Sequence, residues 1–313
     1  MSERGHGGST VLVTGATGFI GRQLCSRLLA DGDDIVALTR APARARKVLG
    51  AQVRAVASLD EIAASERIDR VVNLAGAPII ARPWTPARRT ELLDSRLRTT
   101  NNLTALIARL DHKPEVLINA SAIGYYGVRG DEEITEAARG QPIFQSHLCQ
   151  AWELAAQAAE QHGVRVCRLR FGIVLGMQGG ALPGLLRPAR LRMRVVMGSG
   201  RQWQSWVHID DLLDLVWFCM KHTGMKGGIN VTAPQPLRQQ QFAAILSEHF
   251  GRSIQLRVPA APLRAMLGEM SQLLLEGARI LPAKALSQGF AFRYPDLRAA
   301  LTDLLRSTDP VKA

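Results

Sequence analysis

Three glycines near the start of the chain are spaced so that the backbone could hold phosphate groups. Gly15, Gly18 and Gly21 follow an apolar run at 11–13 and lead into a segment whose apolar residues recur at helical spacing. Gly15 allows a tight turn, Gly18 lets the backbone approach a pyrophosphate, and Gly21 lets the helix pack close to the strand. Because the first N–H groups of a helix favour an anion, this arrangement predicts a dinucleotide site, with a ligand-free tight turn as the alternative.

The residue that ends the second predicted strand should discriminate between the two nicotinamide dinucleotides. A carboxylate there binds the ribose 2′-hydroxyl of NAD, whereas an arginine pairs with the 2′-phosphate of NADP. In this chain the strand ends at Arg40, followed by Arg44 and other basic residues and by no nearby carboxylate. A guanidinium can hold a phosphate with two hydrogen bonds, so we expect NADP(H), with Arg40 as first contact and Arg22 assisting. The alternative is that Arg40 only ends the strand in solvent.

The elements that must position these residues alternate between short strands and helices. Strands are predicted at 35–38, 53–56, 71–74, 116–120 and 164–170, and long helices at 86–110 and 144–162. Such alternation is typical of parallel sheets whose crossover helices cover both faces. The prediction is therefore an α/β fold, a Rossmann-type doubly wound parallel sheet with a smaller C-terminal substrate lobe.

The alternation breaks after Gly176, where glycine-rich turns separate short strands from one apolar helix at 209–220. We therefore expect a flexible N-terminus at 1–9 and an NADP-binding Rossmann domain at 10–175. A substrate lobe at 176–258, partly interleaved with that domain, and a C-terminal extension at 259–305 should follow. Helical stretches are predicted in the extension near 263–275 and 297–305.

Composition indicates a globular protein of a reducing compartment. Of 313 residues, 47% are apolar and 21% charged, and no apolar run approaches the roughly 20 residues of a membrane span. The polar first ten residues lack the apolar core of a signal peptide, which predicts a cytoplasmic location. The four cysteines are scattered and form no paired motif, so neither disulfides nor a zinc site is expected. No other metal-binding motif occurs, and we predict no metal.

The net charge of +12 is carried mostly by arginine and could indicate an anionic substrate, nucleic acid or an acidic membrane. The densest arginine cluster, at 187–201, has no interleaved aromatic residues and no nucleic-acid motif that we recognise. A solvated basic face explains it better. The predicted partner is therefore a small-molecule substrate, with no nucleic acid and no membrane.

Several motifs resemble those of the extended short-chain dehydrogenase/reductases. They are Gly15-Ala-Thr-Gly18-Phe-Ile-Gly21, Asn73-Leu-Ala-Gly76, Ser121-Ala-Ile-Gly-Tyr-Tyr-Gly127, Arg170-Phe-Gly-Ile-Val-Leu-Gly176 and Val207-His-Ile-Asp-Asp211. Three longer strings, at 82–96, 148–153 and 279–297, resemble the epimerase-family proteins of the NAD-dependent epimerase/dehydratase branch, over about residues 10–305. The resemblance implies a Rossmann-type domain with NADP(H) and a nucleotide-sugar-style substrate lobe, but no settled substrate. Some relatives are also described as cell-division inhibitors.

The glycine pattern and the resemblance together give a set of expected cofactor contacts. It comprises Gly15, Thr17, Gly18, Phe19, Ile20, Gly21, Arg22, Arg40, Leu74, Ala75 and Gly76.

The catalytic pair that the resemblance implies is missing. The superfamily uses Tyr-x-x-x-Lys on the helix after the fifth strand, yet residues 141–159 contain neither tyrosine nor lysine. Phe144, Gln145, Leu148 and Cys149 occupy the corresponding region. Losing the proton donor would lower the rate by roughly 10² to 10⁴.

The resemblance leaves few substitutes for that pair. Ser121 matches a hydroxyl that binds a substrate carbonyl, and Tyr125 and Tyr126 follow it in the next loop. These three are the predicted catalytic residues, with a turn cap and core packing as the alternatives. His147 and Glu153 lie on the second long helix, and either could face solvent.

Two further residues are predicted to bind substrate. Arg96 lies near a position that the superfamily uses to place a water, and could bind an anion or simply cap the cleft. Trp203 could wall a ring-bearing substrate or pack in the core. By contrast, His208, Asp210 and Asp211 suit the start of a helix better than catalysis.

The leading functional hypothesis is an NADP(H)-binding epimerase/dehydratase-like oxidoreductase acting on a small polar or nucleotide-linked substrate. The alternative is a non-catalytic, NADP(H)-sensing regulatory protein linked to cell division, which the missing pair favours. The family's frequent four-helix contact leaves a homodimer open.

Overall fold

A seven-stranded parallel sheet organises the fold. The computed structural model describes residues 8–306, so most of the predicted flexible N-terminus at 1–9 lies outside the described residues. The strands, numbered along the chain, are β1 (Thr10–Thr14), β2 (Asp34–Leu38), β3 (Arg54–Val56), β4 (Arg70–Asn73), β5 (Val116–Ala122), β6 (Glu133–Ile134), β7 (Arg165–Phe171), β8 (Ile173–Gly176), β9 (Gly179–Gly180), β10 (Met193–Met197), β11 (Trp203–Gln204), β12 (Trp206–His208), β13 (Gly227–Val231), β14 (Leu237–Arg238), β15 (Ile254–Val258) and β16 (Arg279–Ile280). The order in the main sheet is β13-β7-β5-β4-β1-β2-β3. This is the doubly wound arrangement that the alternation predicts.

Helices cover both faces of this sheet. They are α1 (Phe19–Ala30), α2 (Pro42–Leu49), α3 (Pro86–Arg109), α4 (Phe144–Gln157), α5 (Leu182–Arg190), α6 (Ile209–Lys221), α7 (Gln239–Glu248), α8 (Ala260–Leu267), α9 (Gln272–Leu275), α10 (Ala283–Ser287) and α11 (Leu297–Arg306). Successive side chains of β1 point to opposite faces of the sheet, so the strand contributes residues to two separate cores. Val11 and Val13 pack with residues of α1, α6 and α11, whereas Leu12 packs with residues of α3 and the end of α4.

Helix boundaries follow local chemistry. Thr85 accepts a hydrogen bond from the backbone N–H of Arg88 and caps α3, with Pro86 at the first helical position. The helix predicted at 144–162 is an α-helix only to Gln157 and ends as a 3₁₀ turn at Ala158–His162. Gly163 follows in the left-handed conformation with φ +78°.

The region beyond β8 is less regular. The stretch at 263–275 is interrupted at Gly268 (φ +55°), which starts a 3₁₀ turn between α8 and α9. β13 lies beyond the predicted end of the Rossmann domain, yet it pairs with β7 and completes the main sheet. β16 pairs in parallel with β6 and ties the C-terminal extension to the loop after β5. The domain boundaries stay a prediction. β13 is the strand by which the region after residue 176 joins the main sheet.

All four cysteines are free and buried. Within residues 8–306, no helix combines the length and the apolar character needed to cross a membrane.

Candidate functional site

The turn after β1 leaves the start of α1 open. Gly15 has φ +68°, and a Cβ there would lie 2.8 Å from the backbone carbonyl carbon of Leu74. A Cβ at Gly21 would overlap the carbonyl oxygen of Gly15, so the helix can approach this turn only with glycine. Gly18 is the N-cap of α1 and provides no side-chain cap. The first N–H groups of the helix are therefore available for an anion.

A cavity of about 1250 Å³ runs along the carboxyl ends of β1, β2 and β4. Its lining includes the predicted contacts Gly15, Thr17, Gly18, Arg22, Arg40, Leu74, Ala75 and Gly76. The loop after β4 is fixed because the hydroxyl of Thr14 donates to Asn73 Oδ1 at 2.6 Å and accepts from the N–H of Ala75 at 3.2 Å. The glycine turn, the open helix start and the cavity together fit a dinucleotide.

The end of the cavity beyond β2 is basic. Arg40 and Arg44 line it, both exposed, and none of the lining residues between 38 and 59 is acidic. Ser58 also lines this end, and Arg98 of α3 is a further basic residue of the cavity lining. The predicted list lacks Ser58 and Arg98, because no glycine or strand-end pattern marks them.

Two predicted contacts lie outside the lining. The ring of Phe19 packs on the glycines of the β8–β9 hairpin, where a Cβ at Gly179 would come within 2.6 Å of it. Ile20, the second residue of α1, packs against the apolar core that includes Val11 and Val13. For both residues, contact with a cofactor through the backbone stays a prediction.

The carboxyl end of β5 carries a buried polar network. The Ser121 hydroxyl donates to Glu153 Oε1 at 2.8 Å, and Arg170 donates from Nε and Nη2 to the two oxygens of Glu153, each at 2.8 Å. Burial lowers the pKa of Arg170, but the hydrogen bonds and the negative charge of Glu153 raise it by more. The pKa of Arg170 therefore lies above its usual value. Glu153 is thus buried, not in solvent, whereas His147 is exposed.

The two tyrosines of the loop after β5 differ in burial and in hydrogen bonding. Tyr126 is fully buried, donates to Asn230 Oδ1 at 2.6 Å and accepts from Arg170 Nη1 at 2.8 Å. Burial raises its pKa to about 12, although Arg170 opposes the shift. Tyr125 is half-buried, with the Arg170 guanidinium carbon 3.4 Å from its ring centroid. The contacts of Tyr126 fit packing, and catalytic roles for Ser121, Tyr125 and Tyr126 stay predictions.

Gln145 and Cys149 are the residues of α4 that face this network. A Cβ at Gly124 would lie 3.6 Å from Gln145 Cβ and 3.9 Å from Cys149 Sγ. Burial, followed by the negative charge of Glu153, raises the pKa of Cys149 to about 11, so its thiol stays protonated. Neither residue can replace a tyrosine and lysine pair as acid and counter-ion. The i, i+4, i+8 spacing of Gln145, Cys149 and Glu153 is the sequence signal that could have placed all three on one face.

The predicted substrate residues are occupied by protein contacts. Arg96 is buried, donates to the carbonyls of Leu92 at 2.9 Å and Ala77 at 3.2 Å, and has its pKa lowered by burial. Trp203 donates to Asp131 at 2.9 Å, and the guanidinium carbons of Arg238 and Arg279 lie 4.0 and 5.2 Å from its ring. Substrate binding by Arg96 and Trp203 stays a prediction.

The start of α6 is a capping structure. His208 Nδ1 accepts from the N–H of Asp210 at 3.0 Å, so the ring proton lies on Nε2, which is 3.3 Å from Asp303 Oδ2. The ligand atoms of His208, Asp210 and Asp303 lie within 4.8 Å of one another. A cation on Nε2 would need the proton on Nδ1, which the Asp210 amide prevents. The geometry therefore fits a helix cap, and the absence of a metal stays a prediction.

Comparison with known proteins agrees with this arrangement. Residues 11–232 match the family model described as NAD dependent epimerase/dehydratase family, and residues 258–304 match a domain of unknown function, DUF1731. The chain belongs to the NAD dependent epimerase/dehydratase family. The resemblance drawn from the motifs is therefore confirmed.

Relatives within the family are similar over nearly the whole chain. The epimerase family protein YfhF of Bacillus subtilis is 37% identical over 300 residues, which cover 94% of this chain and 97% of the relative. The chloroplastic SDR39U1 homolog of Arabidopsis thaliana is 37% identical over 303 residues, covering 95% and 87%. The crystal structure of human epimerase family protein SDR39U1 (isoform 2) with NADPH is 32% identical, with a TM-score of 0.84 and coverage of 95% and 99%. The predicted Rossmann-type fold is confirmed.

Proposed function

We propose that this protein binds NADP(H) and uses it as an oxidoreductase of the epimerase/dehydratase type on a small polar or nucleotide-linked substrate. The observation that carries the proposal is the open start of α1 beside a cavity with Arg40 and Arg44 at its far end. The start of α1 suits a diphosphate, and the two guanidinium groups suit the extra phosphate of NADP(H). The NADPH bound by the human relative supports this choice.

The bound cofactor would supply hydride transfer, and the protein's own residues would position the partner. Because the Ser121 hydroxyl donates to Glu153, its oxygen presents lone pairs to a substrate hydroxyl, not a proton to a carbonyl. Arg170 occupies both carboxylate oxygens of Glu153 with hydrogen bonds, which leaves the carboxylate little freedom to act on a substrate. We therefore expect slow turnover, with orientation of the substrate as the main contribution of these residues.

Charge reversal at Arg40 tests the cofactor. Arg40→Glu should weaken NADPH binding at least tenfold, because the new carboxylate repels the 2′-phosphate, while NADH binding should change little. Isothermal titration of NADPH and NADH into ligand-free protein measures both affinities. Arg46→Glu is the matched control, since Arg46 is an exposed arginine of α2 outside the cavity lining. Absence of heat with NADPH in the wild type, or unchanged affinity in Arg40→Glu, would overturn the proposal.

A second candidate is an NADP(H)-sensing regulatory protein without turnover. It is favoured by Gln145 and Cys149, which leave the site without an evident proton donor on α4. Anaerobic mixing with NADPH and a panel of sugars, aldehydes and ketones separates the two functions by the loss of absorbance at the nicotinamide band. Oxidation supports the enzyme. Silence across the panel, together with partner capture that changes with NADPH, supports the sensor.

A further inference from the structure

The small sheet formed by β10 and β15 carries six apolar side chains on one face. The two strands pair in parallel and are separate from the main sheet. Side chains two residues apart along a strand share a face, and so do paired residues of neighbouring strands. The side chains that share this face, called the β10–β15 face below, are those of Met193, Val195, Met197, Ile254, Leu256 and Val258.

The β10–β15 face lies outside the apolar cores. None of its six residues is buried, and none joins a core within residues 8–306. Ile254 is 79% exposed and Leu256 is 48% exposed. The other face of the same sheet differs, because Val196 is buried there and a Cβ at Gly200 would lie 2.6 Å from its Cγ1. Apolar side chains exposed together on one face of a globular protein are typical of an interaction site.

The surroundings of the β10–β15 face are basic. The segments at 182–209 and 249–268, which contain both strands, include neither aspartate nor glutamate. Arg192 directly precedes β10, Arg252 lies two residues before Ile254, and both are exposed. The N–H of Ile254 donates to the carbonyl of Arg192 at 2.9 Å, so the two arginines lie at the same end of the sheet. A complementary partner therefore combines apolar side chains with carboxylates.

The shape of the β10–β15 face suits a helix better than a flat surface. Met193, Val195 and Met197 of β10 are half-buried, so neighbouring atoms would hold a lipid bilayer away from them. From Met193 to Met197 the face is about 13 Å long, at about 3.3 Å per residue. About nine residues of α-helix have that length. An amphipathic helix laid against an apolar groove is a common mode of recognition.

Two other occupants fit the β10–β15 face less well. A nucleic acid would need aromatic side chains for base stacking, and the segments at 182–202 and 251–268 contain none. A second copy would bring together two basic faces of a chain whose net charge is +12, and the like charges would repel each other.

We propose that the β10–β15 face binds an amphipathic helix of another protein, with the apolar stripe of that helix on the six side chains and its flanking carboxylates facing the arginines. The residues that line the cofactor cavity all lie between 14 and 102, so this surface is separate from that cavity. The proposal therefore does not depend on the proposed function.

A designed peptide tests the proposal directly. It is a fluorescein-labelled helix of about 14 residues, with leucines at every third or fourth position and glutamates beside them, which spans the face with a turn to spare. Fluorescence anisotropy should show that it binds the protein. One reference peptide has the same composition with the leucines spread around the helix, and another has lysine in place of glutamate. Each should bind at least about tenfold more weakly.

The substitution Ile254→Glu should weaken binding of the acidic peptide about tenfold, because the new carboxylate meets its leucines and repels its glutamates. Ile254 is mostly exposed, so the variant should keep the wild-type fold, which circular dichroism checks. Leu154→Glu is the matched control, since Leu154 is 70% exposed on α4 and the variant has the same net charge. This control should bind the peptide as the wild type does.

The substitution Arg252→Glu separates the charge from the apolar contact. It should weaken binding of the acidic peptide and strengthen binding of the lysine peptide, an exchange that a general disturbance of the sheet would not produce. Amide hydrogen exchange locates the contact, because the acidic peptide should slow exchange at 193–197 and 254–258.

The contrary outcomes are equally specific. Equal binding of the acidic peptide and the peptide with scattered leucines, or unchanged affinity in Ile254→Glu, overturns the proposal. A dimer in sedimentation velocity that Ile254→Glu dissociates assigns the face to a second copy and also overturns it. Cosedimentation with vesicles of phosphatidylserine and phosphatidylcholine that Ile254→Glu abolishes, without binding of the acidic peptide, assigns the face to a lipid surface instead.

Discussion

Glu153 and Arg170 form a buried ion pair that holds the candidate site together. Arg170 donates two hydrogen bonds to Glu153 and a third to Tyr126, while Ser121 donates to the same carboxylate. A buried pair gains little over an apolar pair of equal volume, but breaking it leaves an uncompensated charge. The pair therefore fixes the geometry of Ser121 and Tyr126 more than it adds stability.

The substitution Glu153→Gln should lower the free energy of unfolding by about 3 kcal/mol, since Arg170 loses its counter-charge in a buried position. Urea unfolding followed by circular dichroism measures the change. Glu160→Gln, at an exposed position one turn beyond α4, is the control and should change it by less than about 0.5 kcal/mol. Equal stability of Glu153→Gln and the wild type would show that solvent reaches the pair.

Residues that need a special backbone were the easiest to predict from sequence. Gly15 and Gly21 are required by a left-handed turn and by close packing, and both requirements leave a fixed spacing in the chain. Glu153 and Arg170 were not predicted as partners, because α4 and β7 meet only in the folded protein. A charged residue on a helix most often faces water, and the four-residue spacing that puts Glu153 on one face with Cys149 does not by itself show that this face is buried.

At the scale of elements, strand and helix placement followed the apolar pattern closely. The predicted strands at 35–38, 71–74 and 164–170 agree with β2, β4 and β7 within one residue at each end. The pattern was less informative in the C-terminal extension, where α8 has no buried residue and therefore no apolar stripe dictated by a core. Tertiary contacts and Gly268, not periodicity, set the helix ends there.

The junction between β12 and α6 should make stability depend on pH. Burial lowers the pKa of His208 below 6.5, against the opposing effects of Asp210 and Asp303, while Arg293 adds to the lowering. His208 is therefore neutral in the folded protein, and the unfolded chain binds the proton more readily. Its contribution to stability is complete above about pH 6.5 and is lost as the pH falls through that value toward the folded pKa.

The substitution His208→Asn should flatten this dependence, because asparagine can still cap α6 but does not titrate. Chemical unfolding at several pH values between 7.5 and 5 gives the difference between variant and wild type. His112→Asn, at an exposed position, should leave the wild-type profile unchanged. Parallel profiles for the wild type and His208→Asn would exclude this role of His208.

At the scale of the whole molecule, the C-terminal extension is part of the main body. The carboxylate of Asp211 accepts from the N–H groups of Arg293 at 2.8 Å and Tyr294 at 3.0 Å. Asn230 of β13 donates to the carbonyl of Leu281 at 2.9 Å. The start of α6 and the outermost sheet strand therefore hold the segment that leads into α11.

The substitution Asp211→Ala should release that segment locally, because two backbone N–H groups lose their acceptor, at a cost of about 1–3 kcal/mol. Limited proteolysis should then cut the chain between 281 and 296 earlier than in the wild type, and mass spectrometry of the fragments locates the cut. Asp111→Ala, remote and exposed, is the control. Resistance equal to that of the wild type would mean that packing of α11 alone secures the extension.

Leu301 of α11 is fully buried in the same core as Val11 and Val13 of β1. The core that begins with the first strand made by the ribosome is therefore completed only when α11, the last helix of the described residues, has been added. At synthesis rates of about 5–20 residues per second, that wait is on the order of tens of seconds. A nascent chain stalled before α11 would leave this core without Leu297, Ala300, Leu301 and Leu304, and the apolar side chains that pack against them would stay uncovered until synthesis resumed.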